Sequence, residues 1–176
     1  MKSLVGSILG TVLAGVLFPI PGILEAKMSD LKIASPAFGP NAMIPSKYTC
    51  DGPDVSPPLR FENLPANARS LALIVDDPDA PRGTWVHWVV WNIPPGTREI
   101  AENDLPEGAL QGTTDFRTRK YGGPCPPSGT HCYFFKLYAL DTTLALNQGA
   151  TKAHLEAAMK GHIVEQAELV GLYKRK

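Results

Sequence analysis

The stretch SLALIVDDPDAPRGTWVHWVVWNI, residues 70–93, decides the fold. It contains two apolar runs, Ser70–Asp77 and Trp85–Ile93, joined by a segment with two prolines and a glycine. Apolar runs of this length that end at turn residues are typical of buried β-strands. We therefore predict two neighbouring strands with a loop between them.

Outside this stretch, the clearest further strands are predicted at Tyr133–Leu140 and Ile163–Tyr173. Residues 152–160 form a good helical sequence, with Thr151 as N-cap and Gly161 as the stop. Several apolar strands and one convincing helix predict a mainly β fold, in the α+β sense, with packed antiparallel sheets and a helix near the C-terminus.

The first 26 residues read as a segment separate from the domain at 27–176. Lys2 is followed by an apolar run that carries no charge until Glu25, which is typical of a secretory signal peptide. Export to the periplasm or outside the cell is the leading interpretation. Two others stay open: an uncleaved membrane anchor, or a true start at Met28, which would leave the protein in the cytoplasm.

The charge balance argues against an overall electrostatic attraction to polyanions. Seventeen basic and seventeen acidic side chains give a net charge of zero, so nucleic acid is not expected as a partner. Three tryptophans in one predicted strand, Trp85, Trp88 and Trp91, fit a core and a pocket wall better than a base-stacking platform.

Three cysteines make an odd set, namely Cys50, Cys125 and Cys132. In an exported protein they predict one disulfide and one free thiol, and sequence alone leaves three pairings open. Cys50 and Cys125 both lie in loops that carry motifs, so we favour that pair, with three reduced thiols as the alternative. No zinc-type spacing is present.

Strand alternation predicts where three polar side chains point. Asp77 is in phase with apolar residues 71, 73 and 75, and His131 is in phase with 133, 135 and 137. His87 is assigned by the same rule to the face of Val89, Trp91 and Ile93. All three would extend apolar faces at or near strand ends. The alternative interpretation is that each is a hydrogen-bonded structural residue. The case for a binding site depends on the occurrence of all three at strand ends that could lie together. The glycines that precede His131 predict a backbone cradle for an anion.

Four segments together resemble the phosphatidylethanolamine-binding protein family, in its bacterial, Raf-kinase-inhibitor-like branch. They are residues 51–59, 77–81, 85–88 and 122–133, and the likeness extends from about Lys32 to Tyr173. The resemblance implies two antiparallel sheets, the larger one central, and an anion pocket at one edge. It also implies the binding residues Asp77, His87, Gly123, Pro124 and His131, with Asp79, Pro126 and Tyr133 in support. Val86 departs from the eukaryotic pattern, where many members carry a second histidine.

The expected function is non-catalytic binding of a small anion or a phospholipid headgroup of the phosphoethanolamine type. Protonated histidines would donate to phosphate, and Asp77 would orient an imidazole or accept from the ammonium. The alternative is a protein-interaction module, such as a kinase or protease inhibitor, that uses the same pocket. A hydrolase that uses Cys132 as nucleophile and His131 as its base is disfavoured, because adjacent residues of a strand point to opposite faces and these two side chains should not meet. No metal or cofactor is expected, and a homodimer remains open.

Overall fold

The computed structural model describes residues 30–175, so the predicted signal peptide lies outside the described residues. Nine strands, one α-helix and a short 3-10 helix at Ser46–Tyr48 occur within this range. The strands and the α-helix are β1 Lys32–Ala34, β2 Ala42–Met43, β3 Leu59–Glu62, β4 Ser70–Asp77, β5 Trp85–Ile93, β6 Glu99–Ile100, β7 Leu110–Gln111, β8 His131–Leu140, α1 Lys152–Met159 and β9 Ile163–Tyr173.

The strands form two sheets, which confirms the predicted fold class. The smaller sheet has the order β1-β3-β6, and the larger has the order β2-β9-β8-β4-β5-β7. All pairs are antiparallel except β2 with β9, which is parallel. This departure from two antiparallel sheets concerns a two-residue edge strand, far in sequence from its partner, so no hairpin connection dictates its direction.

Apolar side chains fill both faces of the larger sheet. One cluster joins the two sheets, with Leu59 and Phe61 of β3 packed in the same core as Leu73 and Phe135. The second cluster lies on the other face, where Leu155 of α1 packs in the same cluster as side chains of β4 and β5. The large sheet is therefore central, and its strands are buried on both faces, which explains their nearly continuous apolar sequences.

The helix α1 begins as the sequence predicted. The Thr151 hydroxyl accepts a hydrogen bond from the His154 backbone N–H, and His154 Nδ1 accepts from the Thr151 N–H. This reciprocal arrangement is a capping box with histidine in the position usually held by glutamate. It satisfies two backbone donors at the helix start.

Two irregularities in β5 decide where its side chains point. Val75 pairs with Trp88 but Asp76 pairs with Val86, so His87 has no partner residue on β4. A second register shift lies near Asn92, which has a φ of 55°. Such β-bulges reverse the alternation of side chains along a strand.

Regular strand alternation places His87 on the same face as Val89, Trp91 and Ile93. That prediction was wrong for Val89 and Trp91. Val89 and Trp91 belong to the cluster beneath α1, whereas the His87 ring contacts Tyr133, which lies in the core between the sheets. The extra residue at the bulge turns the imidazole to the side where Asp77 and His131 lie. The three polar groups do converge, but the bulge brings His87 there.

Candidate functional site

A pocket of about 280 Å³ opens where β4, β5 and β8 meet their flanking loops. Its lining residues are Asp77, Ala80, Pro81, Trp85, His87, Phe116, Cys125, Pro126, Pro127 and His131. Three of the five residues that the family resemblance named as binding residues thus share one cavity. Pro126, named in support, also lines it.

Asp77 and His131 form a buried pair at the base of the pocket. His131 Nδ1 lies 2.7 Å from Asp77 Oδ2, and the carboxylate can only accept, so Nδ1 carries the proton. The other oxygen, Asp77 Oδ1, accepts from the Asp79 backbone N–H at 2.8 Å. Asp77 therefore holds the imidazole in one tautomer and one orientation.

Asp79 supports this pair from outside the pocket. Its Oδ2 accepts from the Cys132 backbone N–H at 2.8 Å, which ties the β4–β5 loop to the start of β8. One Asp-Pro-Asp segment thereby fixes both the carboxylate and the strand end that carries the histidine.

His87 is held by a backbone carbonyl. Its Nδ1 donates to the Gly122 oxygen at 2.6 Å, so its Nε2 is the remaining polar atom of the ring. Burial lowers the pKa of His87 below its ordinary value of 6.5, and the Gly122 bond and the Asp77 charge oppose this shift only in part. The unliganded pocket therefore favours a neutral imidazole here.

Aromatic rings form the wall beside His87. Its ring packs edge-on between Phe116 and Tyr133, at centroid distances of 5.3 and 5.2 Å. Trp85 packs against Phe116 at 5.5 Å. Phe116 was missed by the sequence reasoning, and its only signal was its position as a single aromatic residue in a polar loop, residues 113–120.

One N–H of the expected glycine cradle is already occupied within the protein. The Gly123 N–H donates to Asp54 Oδ1 at 2.6 Å, and neither Gly123 nor Pro124 lines the pocket. A Cβ on Gly123 would lie 2.4 Å from that Asp54 oxygen and 2.5 Å from the Tyr48 carbonyl oxygen. Glycine is needed here because another loop packs against its backbone. The Gly123 N–H is therefore already bonded within the protein, while the binding role of Pro124 stays a prediction.

The structure contains a disulfide between Cys50 and Cys125, with Cα atoms 5.4 Å apart. A backbone hydrogen bond from Cys50 N–H to the Pro124 carbonyl oxygen, 3.1 Å long, runs alongside it. Together they attach the loop that carries the 3-10 helix to the pocket wall. Cys132 is a free thiol.

Tyr133 lies behind the pocket rather than on its surface. Its hydroxyl is buried and has no hydrogen-bond partner among the described residues. Burial, and then the nearby Asp77 charge, raise its pKa well above the ordinary value. The phenol therefore remains protonated, and its ring supports His87.

Cys132 is poorly suited to act as a nucleophile at this pocket. Burial, and then a hydrogen bond to Asp79, raise the pKa of the Cys132 thiol, which disfavours the nucleophilic thiolate. Cys132 is also absent from the pocket lining. Within residues 30–175 no group of three or more histidine, cysteine, aspartate or glutamate side chains is placed to hold a metal ion.

Comparison with known proteins identifies the class. The sequence model of the phosphatidylethanolamine-binding protein family matches residues 34–174. A UPF0098 protein of Pyrococcus horikoshii is 51% identical over 184 aligned positions, which cover 100% of this chain and 91% of the relative. A second UPF0098 protein, from Methanothermobacter thermautotrophicus, is 51% identical over 150 positions and covers 82% of this chain and 99% of the relative.

Solved structures agree with the sequence match. A phosphatidylethanolamine-binding protein homolog from Chlamydia trachomatis superimposes with a TM-score of 0.80 at 42% identity, over 83% of this chain and 98% of that one. Escherichia coli YbcL, a member of the mammalian family, gives 0.79 at 29% identity, over 84% and 100%. The chain belongs to the phosphatidylethanolamine-binding protein family.

Proposed function

We propose that the pocket binds a phosphate ester that carries its own positive charge, a phospholipid headgroup or small molecule of the phosphoethanolamine type, without chemical conversion. The observation that carries the proposal is the pairing of His87 and His131 in one cavity, each with Nδ1 already bonded to the protein. Neither Nε2 atom has a hydrogen-bond partner in the part of the chain that the structure describes. Both remain available to one ligand group.

The charges around the pocket favour a zwitterionic ligand over a bare anion. The lining residues include the Asp77 carboxylate and no lysine or arginine. A phosphate dianion meets repulsion from Asp77 unless it brings a compensating positive charge or His87 takes up a proton. An ammonium group on the ligand supplies the compensating positive charge, and the remaining lone pairs of the Asp77 carboxylate can accept its hydrogen bonds.

Proton uptake by His87 also offsets the repulsion between the phosphate and Asp77. When His87 is neutral its Nε2 can only accept a hydrogen bond, whereas phosphate oxygens at neutral pH mostly need donors. A bound phosphate therefore stabilises the imidazolium form and raises the pKa of His87 from its lowered value. Binding is expected to strengthen as the pH falls.

The test is calorimetric titration with phosphoethanolamine, inorganic phosphate and ethanolamine. Phosphoethanolamine is expected to bind most tightly, and His131→Gln is expected to abolish most of the binding. Asp77→Asn is expected to reduce the preference for phosphoethanolamine over phosphate. His162→Gln, at an exposed histidine that does not line the pocket, is the matched control. Equal affinities for phosphate and phosphoethanolamine, unchanged in Asp77→Asn, would refute the proposal.

The compartment is part of the proposal. We propose that the domain is exported, because residues 1–26 read as a signal peptide and a disulfide adjoins the pocket. No helix within residues 30–175 is long and apolar enough to cross a membrane. Mass spectrometry of the intact mature protein tests export: a chain that starts at Met28 with Cys50 and Cys125 as free thiols would contradict it, whereas a mass that still includes residues 1–26 would indicate an uncleaved anchor.

A further inference from the structure

One wall of the pocket consists of three consecutive residues, Cys125, Pro126 and Pro127. Pro126 is buried, whereas Cys125 and Pro127 are exposed. Cys125 is also one partner of the disulfide with Cys50. We call these three residues the disulfide wall. A covalent bond that thiols can break and oxidants can restore therefore lies in the lining of the binding cavity itself.

The chain that leads into the disulfide wall is held by hydrogen bonds. The Gly123 N–H donates to Asp54 Oδ1 at 2.6 Å. The Pro124 carbonyl oxygen accepts from the Cys50 N–H at 3.1 Å. Up to Pro124, this segment is therefore fixed to a neighbouring loop without the help of the disulfide.

The chain that follows Cys125 lacks such bonds. Among the residues that the structure describes, none forms a hydrogen bond with any of residues 126–130. The next fixed point is His131, which pairs with Tyr173 in the sheet and is bonded to Asp77. Apart from the packing of Pro126, the disulfide is therefore the main attachment of the wall to the rest of the fold.

The other end of the disulfide lies on a firm support. The Tyr121 hydroxyl donates to the Tyr48 carbonyl oxygen at 2.9 Å, and the Thr49 hydroxyl donates to the Ser46 carbonyl oxygen at 2.9 Å. Tyr48 and Thr49 are both buried. Cys50 directly follows them, so the disulfide connects a loosely bonded wall to a loop that is fixed in the core.

We propose that the Cys50–Cys125 disulfide controls the ligand affinity of the pocket. The oxidised chain holds the wall in its binding position, and reduction by a dithiol releases the wall and weakens binding. The change in affinity rests on the proposed function, whereas release of the wall does not. Because φ is fixed in both prolines, the released wall mainly gains the backbone freedom of Cys125. Ordering about one residue again on binding lowers the affinity about tenfold.

The reduction is a thiol–disulfide exchange. A thiolate of the dithiol attacks Sγ of Cys125, the more exposed of the two cysteines. The S–S bond breaks, and Cys50 leaves as a thiolate that takes up a proton from water. The second thiol of the reductant then displaces Cys125, which is protonated in the same way. The protein gains two electrons and two protons, and the reductant ends as a disulfide.

Thermodynamic linkage makes the effect reciprocal. A ligand that binds the oxidised chain about tenfold more tightly must lower the equilibrium constant for reduction about tenfold when it saturates the pocket. For a two-electron couple this factor corresponds to about 30 mV. Phosphoethanolamine should therefore protect the disulfide from dithiothreitol.

The test is nuclear magnetic resonance on the full chain with Cys132→Ser, so that reduction changes only the Cys50–Cys125 pair. Phosphoethanolamine is titrated into the oxidised chain and into the chain reduced with dithiothreitol, in sucrose, which favours the folded state. Binding should be about tenfold weaker after reduction. The order parameter of the Cys125 amide should fall from about 0.85 to below about 0.6, while that of Gly123, bonded to Asp54, should stay high.

A second variant loosens the same wall and leaves the disulfide intact. Pro127→Gly changes an exposed residue of the lining, and it should weaken binding to the oxidised chain about two- to five-fold. Pro95→Gly, at an exposed proline that does not line the pocket, is the matched control and should bind normally.

Equal affinities in the two redox states of a folded chain would overturn the proposal, and so would a Cys125 amide that stays rigid after reduction. If circular dichroism shows that the reduced chain is unfolded even in sucrose, Pro127→Gly decides, and wild-type affinity in that variant overturns the proposal. Failure of the oxidised chain to bind phosphoethanolamine would refute the proposed function. The order parameters would then still test whether the disulfide holds the wall.

Discussion

Removal of the Cys50–Cys125 disulfide should destabilise the domain by an amount that depends on the length of the loop that the bond closes. The bond closes a loop with a sequence separation of 75 residues. For a loop of that length the chain-entropy relation gives about 4 kcal/mol of stabilisation at 25 °C. Cys125 is exposed and Cys50 is half-buried, so replacing them with serine removes little packing and the loss is mainly the cross-link.

The assay is urea unfolding of the full chain, followed by near-ultraviolet circular dichroism. With a slope of roughly 2 kcal/mol per molar urea, the double variant Cys50→Ser, Cys125→Ser should unfold at a midpoint about 2 M lower. Reduction of the wild-type chain should give a similar shift, and Cys132→Ser should change the midpoint little. A double variant that unfolds within about 0.5 M of wild type would refute the loop-closure reasoning.

Three further predictions concern single residues. Gly123→Ala should destabilise by roughly 2 kcal/mol or more, because its Cβ would overlap Asp54 Oδ1; Gly96→Ala, where a Cβ meets nothing within 4 Å, is the control, and equal midpoints would contradict the clash. Thr151→Ala should cost about 1 kcal/mol through the lost cap, with an unchanged thermal midpoint as the opposing result. Without ligand, the pKa of His87 is lowered in the folded state, so the unfolded chain binds a proton more readily and the folded state loses stability as the pH falls below about 6.5. The free energy of unfolding of His87→Gln should therefore depend less on pH over that range. Identical pH profiles for the variant and the wild type would contradict this reasoning.

The long strands could be predicted because their signals are local. β4, β5 and β9 have the predicted bounds, while β8 begins two residues earlier, at His131. That extension depends on pairing of His131 and Cys132 with Tyr173 and Leu172, which the local pattern does not contain. The strands of two to four residues were not predicted, since such short segments are fixed by their partners.

The site was predicted in part, and the errors have one physical origin. Asp77 and His131 followed strand alternation and lie together. His87 reached the pocket through a bulge, and the Gly123 N–H is bonded to Asp54, 69 residues away. Register shifts and long-range hydrogen bonds depend on which segments meet in space. A single sequence contains little information about them.

Proton uptake on ligand binding tests the central claim most directly. Phosphoethanolamine is titrated into the protein at about pH 7.5, where its phosphate is mostly a dianion, in two buffers of different ionisation enthalpy. The structure predicts different apparent enthalpies, corresponding to uptake of up to about one proton, with a smaller difference in His87→Gln. Equal enthalpies in both buffers, or no binding at all, would contradict a pocket that takes up phosphate by protonating its buried imidazole.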